Sequence, residues 1–349
     1  MTKVLRGAVV GFGKLGLLHA GLANGLPNSR LAAIVENSGV IQRIVRQHFP
    51  DVNVYASVEE LIESRVSDYA IIATPTGSHV SIAEKLVEAN VPVLIEKPLS
   101  LNAQEARPLI AALKRNWVPN MVGYMGRYTD TFHKAAQLLH LGVLGNVQMV
   151  RSSMYIEQLL KPGEGWRYDP ATSGGGVLIT QNSHVIDKLL WMFGDITGVS
   201  GNTSKLVSRL VEDHVHAHLE FASGAVGFID ASWSARHFRT PTISIHAQGM
   251  NGTLDVNDDE VRVFLDDPIG EVSPGWTTWR KPDLYRPVPL DIGGTQYTLQ
   301  MVDFLEAVTN RVDLKSNVAS GLKTQLVIDA IYESAPKGGT RVGVGTPVS

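Results

Sequence analysis

Residues 6–16 read Arg6-Gly7-Ala8-Val9-Val10-Gly11-Phe12-Gly13-Lys14-Leu15-Gly16. An apolar run ends in the spacing G-x-G-x-x-G, and apolar residues at helical spacing follow it. The pattern predicts a strand over Arg6–Val10 and a helix over Leu15–Leu26, the context that gives such a glycine turn its meaning. In it the first glycine permits a tight turn, the second lets backbone approach a pyrophosphate, and the third lets helix and strand pack closely. The helix N-terminus then offers unpaired N–H groups and the positive end of its dipole to an anion. Glu36 stands at the end of the next apolar run, 36 − 16 = 20 residues beyond Gly16. A carboxylate there accepts hydrogen bonds from ribose hydroxyls and repels a 2′-phosphate, and neutral Asn37 and Ser38 follow it. The expected cofactor is therefore NAD rather than NADP.

Further short apolar runs lie at Leu31–Val35, Tyr69–Ala73, Val91–Ile95 and Val118–Val122. They lack alternation, as strands buried on both faces do. Between them Ile82, Ala83, Leu86 and Val87, and then Leu109, Ala112 and Leu113, recur at three and four residues. Alternating strands and helices of this kind predict a doubly wound parallel sheet over residues 1–122. The texture changes from residue 123 to 349. Helices are expected over Thr129–Leu141, Val177–Phe193, Gln296–Thr309 and Ser320–Glu333. Strands are expected over Val147–Ile156, Val199–Val207, Val211–Phe221, Ala225–Ser234 and Thr242–Ala247. Residues Leu159–Gly176 read as a long loop, and Leu265–Pro289 resists assignment. The fold class is α/β, with a second α+β domain built on an open, mostly antiparallel sheet.

The 349 residues suit two such domains. Lys+Arg is 31 and Asp+Glu is 34, a formal charge of −3, which lacks the basic footprint of a nucleic-acid binder. The absence of cysteine excludes disulfides, thiolate metal sites and cysteine nucleophiles. No apolar run reaches the ~18 residues of a membrane helix. The basic start, Met1–Arg6, is read as the lead into the first strand and not as a signal peptide, so a cytoplasmic location is expected.

Ala73-Thr74-Pro75-Thr76-Gly77-Ser78-His79 stands at the end of the run Tyr69–Ala73, and Glu96-Lys97-Pro98 follows the run Val91–Ile95. Downstream, Trp166-Arg167-Tyr168-Asp169-Pro170 leads into Ser173-Gly174-Gly175-Gly176, then His184 and Asp187. With the glycine turn, this set resembles the glucose–fructose oxidoreductase, inositol dehydrogenase and rhizopine-catabolism (Gfo/Idh/MocA) family. The resemblance implies an N-terminal Rossmann domain and NAD(P)-dependent oxidation or reduction of a sugar, polyol or sugar derivative. It also implies a homodimer or homotetramer built through open sheet faces. Gly11, Phe12, Gly13, Lys14, Leu15, Gly16, Glu36, Thr74, Pro75, Thr76, His79, Glu96 and Lys97 would hold the cofactor. Lys97 would also contact the reacting hydroxyl, and the matching histidine, His184, would act as acid–base or substrate hydrogen-bond donor.

The residues themselves support parts of this. Lys97 sits where a parallel strand ends, beside the expected ligand crevice. Thr180, His184 and Asp187 are spaced i, i+4, i+7 on one face of an otherwise apolar helix, and such a stripe needs polar partners. Tyr124, Arg127, Arg151, Tyr155, Lys161, Trp166 and Arg167 come from segments expected to border the substrate, with Arg127 and Arg167 equally readable as structural ion-pair residues. Relatives often carry an aspartate where this chain has Thr180, which argues against a Lys–Asp–His proton relay. His214, His216 and His218 alternate on one strand face, and a polar sheet face or subunit contact is preferred there to a metal site. Two other readings remain at this stage: a reductase of a keto-sugar or nucleotide-sugar, and a non-catalytic dinucleotide-binding regulator.

Overall fold

The computed structural model describes residues 3–159 and 161–346. Met1, Thr2 and Leu160, which fall within the expected first domain and the expected loop, lie outside them. The chain begins β1 (Leu5–Val10), α1 (Lys14–Gly25), β2 (Ser29–Val35), α2 (Gly39–His48), β3 (Asn53–Tyr55), α3 (Val58–Ser64), β4 (Tyr69–Ile72), α4 (His79–Glu88), β5 (Val93–Ile95), α5 (Arg107–Arg115) and β6 (Asn120–Val122). These strands form one parallel sheet in the order β3-β2-β1-β4-β5-β6. The order reverses between β1 and β4, which opens a crevice at the carboxyl ends of the strands. Ala8, Val9, Ile34, Ile71, Ile72 and Leu94 are fully buried, as helices on both faces of a sheet require. Gly7 makes room for Tyr69: a Cβ there would lie 2.3 Å from the phenol oxygen, which pairs with Ser29 Oγ at 2.7 Å.

The chain continues through α6 (Asp130–His140), β7 (Val147–Tyr155), α7 (Pro170–Ser173), α8 (Ser183–Phe193), β8 (Ile196–Ser204), β9 (His214–Phe221), β10 (Val226–Ser232), β11 (Thr242–Gly249), β12 (Gly252–Asn257), β13 (Glu260–Leu265) and β14 (Gly275–Arg280). It closes with α9 (Thr295–Asn310), α10 (Val318–Ser334) and β15 (Val342–Gly343). The second sheet has the order β14-β13-β12-β11-β7-β10-β9-β8-β15. β7 and β10 run parallel, and the other neighbours are antiparallel. Its strands alternate. Val215, Ala217, Leu219 and Phe221 of β9 are buried with Val185, Ile186 and Leu189 of α8, while His216 on the other register is exposed. The open face carries Phe228 and Trp276, both exposed.

The chain's contacts divide it into two units, the residues up to Met125 with Pro287–Leu322, and Gly126–Arg286 with the residues from Lys323 onward. A single cut after residue 122 does not describe this division, because α9 returns to the first unit. Phe304 of α9 is fully buried with its ring edge-on to Tyr69 of β4, centroids 5.7 Å apart. The expected loop at 159–176 contains a turn at Trp166–Tyr168 and the short α7. In the unassigned stretch β14 pairs with β13, and its residues alternate half-buried and exposed with no fully buried position, so no core-facing period marks it. Among the described residues no helix is long and apolar enough to cross a membrane.

Phe304→Ala should destabilise the first unit by about 3–5 kcal/mol, the cost of deleting a buried aromatic ring. Urea unfolding would read this as a lower midpoint with an unchanged slope.

Candidate functional site

The glycine turn is shaped as its spacing predicts. Gly11 has φ +87°, and a Cβ on it would lie 2.8 Å from Thr74 Cγ2. At Gly16 a Cβ would lie 2.0 Å from the Gly11 carbonyl oxygen, so α1 can approach β1 only without a side chain there. Around Gly13, the N-cap of α1, nothing lies within 4 Å of where a Cβ would sit, and no side chain caps the helix. The first turn of α1 thus starts at an uncrowded, uncapped residue, and an uncapped helix N-terminus suits a pyrophosphate. Lys14 is exposed, Phe12 and Leu15 are half-buried, and Phe12 rests edge-on against Phe49 at 6.5 Å.

Glu36 follows β2 and accepts the Phe12 N–H at Oε2 and the Ser38 N–H at Oε1, each at 2.9 Å. A carboxylate has about four lone-pair sites, so two remain for hydroxyl donors. Thr74 Oγ1 accepts from Ser78 Oγ at 2.8 Å, and Pro75 opens the turn that buries Thr76. His79 does not present itself to a ligand. It is buried, with Nε2 2.8 Å from the Thr74 carbonyl and Nδ1 2.8 Å from the Pro98 carbonyl, and it staples the turn after β4 to the turn after β5. Burial holds its imidazole below the usual histidine range.

Lys97 is half-buried directly after β5, joined to Pro98 by a cis peptide bond. Glu96 is buried and accepts the Lys97 N–H at Oε2 (3.2 Å) and His19 Nε2 at Oε1 (2.8 Å). Burial pushes the Glu96 carboxyl up. The hydrogen bond from His19 and the field of His19, Lys97 and His79 outweigh that and hold it below the usual carboxylate range. His19 escaped the sequence reading. Its signal was its place three residues after Gly16, on the buried face of α1 with Ala20 and Ala23.

In the second unit, α8 is preceded by one wider, π-type turn at Leu178–Asn182. Such turns recur at functional positions. Its amides are held by a carboxylate from a distant segment. Glu212, buried, accepts the Gly176 N–H at 2.9 Å, the Leu178 N–H at 3.0 Å and the Tyr332 hydroxyl at 2.8 Å. Burial pushes the Glu212 carboxyl up against these bonds, and burial with the Glu212 charge pushes the Tyr332 phenol well up. A Cβ on Gly176 would lie 1.7 Å from the Glu212 carbonyl oxygen, which explains one glycine of the triplet.

Two members of the polar stripe of α8 find partners within their own unit. The Thr180 hydroxyl donates to the Gly176 carbonyl at 2.7 Å. Asp187 is buried and takes a two-pronged bond from Arg127, Nε at 2.8 Å and Nη2 at 2.6 Å. Arg127 in turn lies over Trp191 at 5.9 Å. Arg127 is therefore the structural ion-pair residue of the two readings, and His184 stays half-buried on α8 between its two stripe neighbours. Tyr155 and Arg151 belong to the β7 register opposite buried Val150 and Met154, on the open sheet face away from α8, and the Tyr155 hydroxyl donates to Asp230. Burial and the Asp230 bond push that phenol up to about 12. Tyr124 of the first unit is fully buried. Lys161, Trp166 and Arg167 are exposed, with Arg167 stacked on Trp166 at 5.4 Å. The rings of His214 and His216 lie 5.8 Å apart, tilted by 52°, on the open face.

Two family models match the chain. Residues 5–124 match the "Oxidoreductase family, NAD-binding Rossmann fold" model of GFO/IDH/MocA, and residues 132–255 match the GFO/IDH/MocA C-terminal domain. The chain belongs to the GFO/IDH/MocA family. It is an oxidoreductase family whose first domain binds NAD. Levoglucosan dehydrogenase of Pseudarthrobacter phenanthrenivorans is 26% identical over 76% of this chain and 77% of its own length. D-apiose dehydrogenase of Paraburkholderia graminis is 24% identical over 97% of this chain and 90% of its own. A solved structure of levoglucosan dehydrogenase with NADH and levoglucosan superposes with a TM-score of 0.86 at 25% identity, covering 98% of this chain and all of that one.

Arg127→Met should cost about 3–5 kcal/mol by leaving the Asp187 charge buried and alone, and Arg127→Met with Asp187→Leu should recover most of it. Denaturant unfolding of the single and double variants measures the difference.

Proposed function

We propose that the protein is an NAD-dependent dehydrogenase that interconverts a secondary hydroxyl of a sugar or polyol with the corresponding carbonyl. The observation that carries the reading is the gathering of the glycine turn, Glu36, Thr74 and Lys97 at the carboxyl ends of β1, β2, β4 and β5 of a single parallel sheet. Support for the substrate class comes from the relatives, named as levoglucosan, apiose and scyllo-inositol dehydrogenases.

The amides of the first turn of α1 hold the cofactor's pyrophosphate, and Glu36 takes the ribose hydroxyls. NAD when bound supplies the acceptor for the hydride leaving the carbinol carbon. For hydroxyl oxidation Lys97 Nζ, as the free amine, accepts the hydrogen bond of the reacting hydroxyl and takes its proton, and in the reverse direction the ammonium returns that proton to the carbonyl oxygen. His184 on α8 is the second unit's candidate for the acid–base or substrate hydrogen-bond role that the resemblance implies. Thr180 takes no part as an acid, since its hydroxyl is aimed at the Gly176 carbonyl. Trp166 and Arg167 are exposed side chains able to line a sugar ring. The expected homodimer or homotetramer would use the open face of the second sheet, where Phe228 and Trp276 are exposed.

Lys97→Ala should lower kcat by roughly 10²–10⁴-fold while NADH fluorescence still reports binding; retained turnover on sugars and polyols would sink the assignment. Glu36→Ala should weaken NAD and raise the relative use of NADP, read as the ratio of kcat/KM for the two cofactors.

A further inference from the structure

Behind Lys97 lies a buried pair. His19 projects from α1, three residues beyond the glycine that seats this helix on β1, and its Nε2 lies 2.8 Å from Glu96 Oε1. The two side chains are 1% and 5% exposed. Among the described residues His19 Nδ1 has no hydrogen-bond partner, so the bond to Glu96 is the ring's one hydrogen bond there. The second oxygen of Glu96 accepts the backbone N–H of Lys97. Gly123 packs against the same carboxyl: a Cβ there would lie 3.3 Å from it, so a side chain at that position would press on Glu96.

We infer that His19 is a positioning residue, which through Glu96 fixes the backbone and the electrostatic setting of Lys97. The inference rests on the reading of Lys97 given above. The argument is one of buried charge. A carboxylate out of water needs partners, and removing a donor to a buried charge costs more than the bond itself contributes. Without His19, Glu96 either takes up a proton or shifts, and both outcomes alter the field one residue away at Lys97. Among the described residues the titratable groups acting on or feeling Glu96 include His19 from α1, His79 from α4, Tyr297 from α9 and Lys97 beside it. Tyr297 packs edge-on to His19 at 6.3 Å. Burial and the Glu96 charge push its phenol up to about 12. The same helix therefore cradles phosphate at its first turn and secures the lysine's carboxylate one turn further in.

The test compares His19→Leu, His19→Gln and Glu96→Gln. His19→Leu should lower kcat by about ten- to a hundredfold, as misplacement of a reacting group does, with the Kd for NADH changed less than about threefold. His19→Gln, whose amide can donate to the same carboxylate, should recover most of that loss. Glu96→Gln removes a negative charge beside Lys97, so its ammonium releases its proton more readily. The rising limb of kcat for hydroxyl oxidation should then move at least about half a unit toward lower pH. Wild-type kcat in His19→Leu, an unmoved pH limb in Glu96→Gln, or a kcat loss matched by equal loss of NADH binding and not restored by Gln would each overturn the inference. If His19→Leu does not fold, the Glu96→Gln profile decides. An inactive Lys97→Ala beside a fully active His19→Leu removes only the role of His19, whereas an active Lys97→Ala removes the underlying reading.

Discussion

The close approach of α1 to β1, with the α-carbon of Gly16 set against the Gly11 carbonyl, is the constraint on which the first unit depends. It sets the height of the helix above the sheet. That height decides where the unpaired amides of the first turn point, and it brings His19 within reach of Glu96. A side chain at Gly16 would lift α1 away from the strand, and the cradle and the support behind Lys97 would be lost together.

Both units hold irregular backbone with carboxylates, some adjacent in the chain and some from distant segments. Glu36 holds the amides of Phe12 and Ser38, and Glu96 holds the amide of Lys97. Glu212 holds Gly176 and Leu178 at the start of the wide turn before α8, and Asp213 takes the amides of Leu206, Val207 and Ser208. In each case an acid supplies the acceptor that irregular backbone lacks, and a bond to a charged acceptor is about twice as strong as a neutral one. Glycines at these places are then explained by crowding as much as by torsion, as at Gly176 beneath Glu212.

What could be read from the sequence was local. The glycine turn, Glu36 and Lys97 stand within or directly after short apolar strands, so spacing alone placed them at strand ends. The buried strands and the alternating ones announced two kinds of sheet. What could not be read depended on partners far along the chain. His19 and Glu96 are 77 residues apart, Gly176 and Glu212 are 36 apart, and Arg127 and Asp187 are 60 apart. The alternation of β7 gave the spacing of Tyr155 but not which register faces α8. The return of α9 to the first unit left no local mark, because an amphipathic helix does not state which apolar surface it covers.

That return has a bearing on biosynthesis. Tyr69 emerges early, while Phe304, the ring that covers it, is made near the end. Until then the nascent dinucleotide-binding half carries an uncovered apolar strip, so its completion waits on the entire intervening polypeptide. Folding of the early half is thereby coupled to the arrival of the late one, and premature termination ahead of α9 leaves a sticky fragment rather than a working half-enzyme.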